Sequence, residues 1–396
     1  MIKIVVFVYI LALLFTNFKS LIRVIKSQRF LNKKDSNNLL NKKRVVLIIP
    51  AMNEVHNVYN SIKYFKEFDD ICDVLYVTTD KEVNKLTYKK IIEEIKMQKA
   101  MNIKVINCPN KKGTMANQLN YAIKSIKDDV IIGIYNIDSR PAKQTISYVL
   151  NNIDNNIVLQ QVSYFDDKNK GILKSAQSWQ NRWSIIYEMG KYLSNKKIEF
   201  KYCIGHGLFM NKCIIEKYGN FSEKDINEDN EFGYRLVING IKINPIPYME
   251  KADFANSFPI YVKQQSTWVN GPLYAFKYYF NNQRSIKNFI LTLLNFKAFV
   301  SWWLFPLYSL VSLVFCAFYK WYYFVISLLL LTFYISFYNY YCSRLLKKHH
   351  YIKNKLSFNI INDYLFFIVH SFGSYIALFK ILTQKNTIDN KYNTEK

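Results

Sequence analysis

The stretch Val45-Val46-Leu47-Ile48-Ile49-Pro50-Ala51-Met52-Asn53-Glu54 decides the fold. An unbroken apolar run, mostly β-branched, stops at a proline, and polar residues follow at once. This is the pattern of a short strand buried on both faces whose carboxyl end opens into a loop.

Further strands read outward from it at Cys72–Thr79, Ile103–Cys108, Val130–Tyr135 and Ile157–Phe165. Between these runs, His56–Phe65, Glu82–Lys99, Thr114–Ile126 and Pro141–Ile153 place apolar residues at helical spacing, the last with proline near its first turn. Strands alternating with helices predict an α/β domain, a mostly parallel sheet with helices on both faces. Such sheets take ligands at the carboxyl ends of their strands. There the chain sets Asn53 and Glu54, then Thr78-Thr79-Asp80, then Asn110-Lys111-Lys112-Gly113, then Asn136-Ile137-Asp138. Each residue alone is also an ordinary cap or turn former. Together on one edge, acids, amides and lysines suit a nucleoside diphosphate held with Mg²⁺ or Mn²⁺.

Bulk properties narrow the partners. The 396 residues allow one large domain plus membrane segments. The net charge of +25 comes from 54 Lys and Arg against 29 Asp and Glu, without any nucleic-acid-binding motif. Nucleic acid is therefore not an expected partner, whereas anionic membrane lipids and phosphate-bearing substrates are. The six cysteines form no C-x-x-C pair, which argues against a disulfide framework or a zinc site and fits a reducing compartment.

Three apolar runs, Ala298–Phe318, Trp321–Tyr341 and Asp363–Leu382, reach the ~20 residues a bilayer crossing needs. The third carries Asp363, His370 and Lys380, so spanning and lying in the interface both stay open for it. Ile4–Phe18 reads as an uncleaved anchor, because Thr16–Ser20 lacks a small-residue cleavage site. Basic loops set the orientation. Lys19, Arg23, Lys26, Arg29, Lys33, Lys34, Lys42, Lys43 and Arg44 follow the first segment, and Arg344, Lys347, Lys348, Lys353 and Lys355 follow the third. Both sides are expected in the cytoplasm, with the α/β block between them and the chain in the cell inner membrane. The expected division is an anchor (1–22), a basic linker (23–44), the catalytic domain (45–256), interfacial helices (257–297), transmembrane helices (298–382) and a polar tail (383–396). Trp179 and Trp183 lie four apart and share a helix face, which suits either the bilayer surface or core packing. Pro272–Phe280 and Ser285–Phe296 read as interfacial.

From Val45 to Gly271 the chain resembles the membrane-bound bacterial glycosyltransferases of family 2, distant relatives of cellulose and hyaluronan synthases. Ile48-Ile49-Pro50-Ala51-Met52-Asn53-Glu54 resembles I-P-x-x-N-E, and Asp80 falls where the family's second acid meets uridine. Asn136-Ile137-Asp138 with Pro141 resembles D-x-D-x-x-P, with asparagine for the first acid. Lys111 and Lys112 before Leu119-Asn120 resemble G-K-x-x-x-L-N with the lysine displaced. Gly205-His206-Gly207 resembles the acceptor-facing G-x-G loop. Asn227-Glu228-Asp229 with Gly233-Tyr234-Arg235-Leu236 resembles T-E-D and its trailing helix. Gln264-Gln265-Ser266-Thr267-Trp268 resembles Q-x-x-R-W, with threonine for the arginine.

The resemblance implies a GT-A fold and inverting transfer from a nucleotide-sugar, expected to be a UDP-sugar. The acceptor is a glycan or a lipid-linked molecule in cell-surface polysaccharide synthesis. It implies donor contacts from Pro50, Asn53, Glu54, Asp80, Lys112, Asn136 and Asp138, with Asp138 on the metal. Acceptor contacts fall to Gly205, His206, Gly207, Glu228, Gln264 and Trp268, and the catalytic base to Asp229. Thr267 favours single-sugar transfer to a polyprenyl-linked acceptor over polymerisation. An inactive membrane scaffold is the non-enzymatic alternative, supported by Asn136 and Thr267 and opposed by Asp138 and Asp229.

Overall fold

The structure is a computed structural model describing residues 2–33, 43–194, 199–353, 356 and 358–383. Lys34, Lys42, Lys355 and the tail from 384 lie outside the described residues. A long helix, α1 (Ile2–Leu31), leads into the α/β block. There β1 (Val45–Pro50), β2 (Asp73–Thr79), β3 (Ile103–Cys108) and β4 (Ile131–Ile134) alternate with α2 (Val55–Lys66), α3 (Leu86–Gln98), α4 (Met115–Ser125) and α5 (Gln144–Asn152). Then come β5 (Ile157–Gln160), β6 (Ser163–Tyr164), β7 (Leu208–Asn211), β8 (Lys242–Pro245) and β9 (Glu250–Lys251).

The main sheet has seven strands in the order β3-β2-β1-β4-β7-β5-β8. β1 pairs in parallel with both β2 and β4, so it lies inside the sheet. Its side chains serve two cores: Val46 and Ile48 face one, Val45, Leu47 and Ile49 the other. Each fully buried Val, Leu or Ile contributes about 1.5–3 kcal/mol, which is why a wholly apolar run becomes this strand. β7 runs antiparallel to β4, with Ile134 opposite Leu208. The chain entering β7 therefore lies at the same sheet edge as the chain leaving β4.

Three expected elements come out differently. Ile157–Phe165 is two strands, not one. At Gln161 the backbone N–H turns to the Gly207 carbonyl (2.7 Å) and the side chain to Thr145 and Tyr248, after which β6 joins β9 in a separate pair. The helix expected from Glu82 starts at Leu86, because the Glu82 carboxylate accepts from the N–H (2.8 Å) and hydroxyl (3.0 Å) of Thr87 from outside the helix. The helix expected from Pro141 starts at Gln144, and the Pro141 carbonyl instead accepts the Tyr64 hydroxyl.

Beyond the first strands the chain forms α6 (Gly171–Arg182), a π-helical segment (Trp183–Met189), α7 (Gly190–Tyr192), α8 (Lys212–Tyr218) and α9 (Glu228–Ile238). α10 (Phe258–Trp268), α11 (Asn270–Leu273) and α12 (Ala275–Phe280) then lead to α13 (Ile286–Tyr319). Next are α14 (Trp321–Thr332), a second π-helical segment (Phe333–Phe337), α15 (Tyr338–Lys348), α16 (Ile360–Val369) and α17 (Phe372–Leu382). Among the described residues, four helices are long and apolar enough to cross a membrane: Ile2–Leu31, Ile286–Tyr319, Trp321–Lys348 and Ile360–Leu382. The last includes Asp363–Leu382, a segment thus of sufficient length and apolarity to span. Ser285–Phe296 is not a separate helix. It is the start of α13, capped by the Ser285 side chain accepting from the Asn288 N–H (3.1 Å).

Two of the contacts that tie the α/β block to these helices bear on the site. Trp179 is buried among Tyr334, Phe366 and Phe367, so its role is packing. Beside it Arg182, 1% exposed, lies 4.3 Å over the Trp179 ring and 4.2 Å over Tyr334, with Tyr187 and Tyr338 close by. A desolvated guanidinium facing rings gains cation–π attraction of ~2 kcal/mol or more. The other contact is α9 on α13. Asn295 Nδ2 donates to Asn230 Oδ1 (3.3 Å), and one turn along the Tyr234 and Thr292 hydroxyls bond (2.9 Å).

Candidate active site

The loops after β1 to β4 form one half of the site. Asn53 holds φ 58°, a left-handed conformation that asparagine tolerates, and its N–H donates to Glu82 Oε2 (3.1 Å). Glu54 precedes α2, its N–H donating to Thr87 Oγ1 (3.1 Å) and its carboxylate accepting from Asn57 Nδ2 (2.6 Å). Gln118 of α4 donates to the carbonyls of Ala51 (3.2 Å) and Val77 (2.7 Å), pinning the ends of β1 and β2 together. Asp80 pairs with Lys85 (2.7 Å) and accepts from Asn107. These partners, Lys85 first, hold its carboxyl below the usual range. After β4, the Ser139 N–H returns to the Asn136 carbonyl (3.1 Å), and this tight turn buries Asp138 at the sheet edge. Pro50 ends β1 half-buried. Lys112 is exposed, its N–H on Asn110 Oδ1 (3.1 Å).

The loop into β7 forms the other half. The Gly207 N–H donates to the Ile134 carbonyl (2.7 Å), and φ is +64°. A Cβ there would meet the Gln161 carbonyl oxygen at 2.9 Å, so glycine is required on both counts. Gln160 fixes the loop from beneath, accepting from the Ile204 N–H (2.9 Å) and donating to the His206 carbonyl (2.8 Å). His206 Nδ1 bonds the carboxylate of Glu250, which is 0% exposed and also accepts from Ser163 Oγ (3.1 Å). Burial acts to lower the His206 pKa. Glu250, then Asp138 and Glu188, outweigh it, and the imidazole sits above its ordinary value. Glu188 is itself pushed up by burial, against the Tyr202 hydroxyl that donates to it (3.0 Å).

Asp229 lies in the first turn of α9, beside buried Glu228. Its Oδ1 accepts from the Asn230 N–H (2.8 Å), and its Oδ2 lies 3.3 Å from where a Cβ on Gly205 would be. A Cβ on Gly271 would come within 2.9 Å of Asn230, so the segment after Trp268 packs directly on this turn. Trp268 is 41% exposed and Gln264 half-buried on α10. Arg235 does not replace the arginine missing at Thr267. Its guanidinium is taken by Glu231 (2.8 Å) and the carbonyls of Tyr218 (2.6 Å) and Asn220 (2.7 Å).

The expected residues thus gather at one edge. The expected donor residues lie at the ends of β1 to β4 and in the loops after them, the 205–207 loop enters β7 beside the end of β4, and a Cβ on Gly205 would lie 3.3 Å from Asp229 Oδ2. Among the described residues, no group of three or more His, Cys, Asp or Glu is arranged to hold a metal.

Family profiles match this architecture. That described as glycosyl transferase family group 2 covers residues 137–338, and that of glycosyl transferase family 2 covers residues 46–219. The chain belongs to glycosyltransferase family 2. It is a glycosyltransferase with a GT-A fold. It is similar to a "Probable glycosyltransferase" of Sulfolobus acidocaldarius, 22% identical over 239 residues, covering 57% of this chain and 49% of that one. The chain thus spans about half the length of that curated relative. Among solved structures it is similar to the mannosyltransferase PcManGT from Pyrobaculum calidifontis in complex with GDP-Man and Mn²⁺. The TM-score is 0.59 at 14% identity, over 96% of this chain and 100% of that one.

Several residues that shape the site of this glycosyltransferase carry no motif. Glu82, Gln118, Gln160 and Glu250 act through bonds to residues far along the chain. Glu250 sits between Met249 and Lys251 in a sequence that reads as an ordinary strand end. Only its complete burial marks it.

Proposed function

We propose that this glycosyltransferase transfers a sugar from a UDP-sugar to a glycan or lipid-linked acceptor in cell-surface polysaccharide synthesis, with inversion at the anomeric carbon. The observation that carries the reading is Asp229 Oδ2, 3.3 Å from the Cβ position of Gly205, in the same mouth as buried Asp138. In this reading Asp229 takes the proton from the acceptor hydroxyl as that oxygen attacks, and the sugar leaves the nucleoside diphosphate. A positioned base contributes roughly 10²–10⁴-fold. Pro50, Asn53, Glu54, Asp80, Lys112 and Asn136 hold the donor. Gly205, His206, Gly207, Glu228, Gln264 and Trp268 line the acceptor side.

Asp138 fits a divalent ion, offering a hard oxygen from a buried carboxylate at the strand mouth. Mg²⁺ or Mn²⁺ held there offsets charge on the departing diphosphate. The four apolar helices and basic loops support a place in the bacterial inner membrane, with membrane lipids as partners. In this arrangement residues 1–22 are the anchor and 23–44 the basic linker, 45–256 are the cytoplasmic catalytic domain, 257–297 lie at the interface, 298–382 hold the transmembrane helices with the basic loop after Arg344 in the cytoplasm, and 383–396 are the polar tail.

Asp229→Asn is expected to keep UDP binding and lose at least about 10²-fold in transfer. Transfer near the wild-type rate refutes Asp229 as the base. Asp138→Ala is expected to remove metal-dependent UDP binding. A second reading, single-sugar transfer to a polyprenyl-linked acceptor, is favoured by Thr267 together with the engagement of Arg235 elsewhere. Sizing the product separates it from polymer synthesis.

A further inference from the structure

Asn136 stands where the family resemblance places a second acid, leaving Asp138 as the one carboxylate of its turn. The facing loop holds a different donor. β4 and β7 lie side by side, with Ile134 opposite Leu208 and the Gly207 N–H on the Ile134 carbonyl (2.7 Å). The 136–138 turn and the 205–207 loop therefore leave the sheet at adjacent points on the same edge.

The imidazole is held from behind. Nδ1 is taken by Glu250, leaving Nε2 for another partner. Glu250 is 0% exposed, and its Oε2 has no hydrogen-bond partner among the described residues. A carboxylate this deep requires positive charge beside it. An imidazole whose far nitrogen is fixed by a buried carboxylate is the arrangement found behind metal-bound histidines.

We propose that His206 is a second protein ligand of the divalent metal, through Nε2, with Asp138 as the first and Glu250 as the positioning residue that orients the ring. The inference rests on the reading of Asp138 as metal ligand given above. His206 binds as the neutral ring, keeping Nδ1–H toward Glu250 and releasing any Nε2 proton to solvent. A nitrogen donor also sets selectivity, favouring a transition ion such as Mn²⁺ over the harder Mg²⁺. Asn136 and His206 together thus exchange a hard site for a mixed one.

The test uses the full chain in detergent with Mn²⁺ and UDP. Pulsed electron spin resonance of bound Mn²⁺ is expected to show ¹⁴N coupling that disappears in His206→Ala. Glu250→Gln and His206→Ala are each expected to weaken Mn²⁺ binding by about 10- to 100-fold. The preference for Mn²⁺ over Mg²⁺ should shrink in His206→Ala, which loss of packing alone does not produce. Thermal unfolding checks that the variants fold. If they do not, nitrogen coupling in the wild type decides by itself. Absence of that coupling, or Mn²⁺ affinity in folded His206→Ala within twofold of wild type, overturns the proposal. If Asp138→Ala abolishes binding in the same assay while His206→Ala does not, the inference fails and the reading of Asp138 stands. If wild type binds no Mn²⁺ with UDP, that underlying reading fails first.

Discussion

Substituting Thr292 by Val removes one hydroxyl from the seam between α9 and α13 while keeping the shape of the side chain. Thr292 Oγ1 donates to the Asn288 carbonyl (2.8 Å), so the Tyr234 hydroxyl is the donor in the bond between them (2.9 Å). Both residues are fully buried, and burial raises the Tyr234 pKa. The substitution strands a buried O–H, a loss of about 1–3 kcal/mol, whereas removing both polar groups is nearly neutral. Thr292→Val should therefore lower the unfolding midpoint in detergent, and Tyr234→Phe added to it should restore most of the loss. A functional effect accompanies this. Tyr234 lies one turn from Asn230, whose N–H bonds Asp229 and whose side chain bonds Asn295. Loosening the seam moves Asp229, the proposed base, so initial rates should show a larger change in kcat than in KM for the donor. If the double variant is no more stable than Thr292→Val alone, the hydroxyl pair is not what joins the helices and the reasoning fails.

Lys85→Ala should let the Asp80 carboxyl return toward its ordinary range. In the proposed reading donor binding uses ionised Asp80 and is lost as pH falls through its pKa, so the acid limb of UDP binding should move to higher pH; an unmoved limb argues against a contact from Asp80. Gly207→Ala should cost at least about 1–2 kcal/mol from the left-handed backbone alone, with further loss from the clash at Gln161, visible as a lower unfolding midpoint and impaired transfer. Glu82→Ala frees the Asn53 N–H and both Thr87 donors, so donor KM should rise more than kcat falls; the reverse pattern removes Glu82 from donor-loop support.

The parallel half of the sheet was legible because its inner strands are apolar and buried on both faces, Val45–Ile49 most plainly, while the edge strand β3 still carries β-branched residues around Lys104 and Asn107. Its site loops were legible because strand ends hold the chemistry in such sheets, and Asp80 and Asp138 follow strands directly. The split of Ile157–Phe165 was not, since Gln161 turns for partners at 145, 207 and 248 that no local window contains. Glu250 was hidden for the same reason: its partner His206 comes from the loop before β7, 44 residues back along the chain. The π-helical segments were equally unreadable. Helical periodicity from Gly171 through Tyr192 gives no sign that residues 183–189 wind more widely.

Arg182 imposes an order on synthesis. Trp179 and Tyr187 reach the ribosome's exit with it, but Tyr334 and Tyr338, the other two walls of its cage, are made some 150 residues later. Until they arrive the cation has only half its enclosure, and leaving water for that half is unfavourable. α6 therefore docks late, and with it the π-helical segment bearing Glu188, one of the acids that set the charge at His206. A nascent chain whose third long helix has not emerged has its sheet but not its finished site.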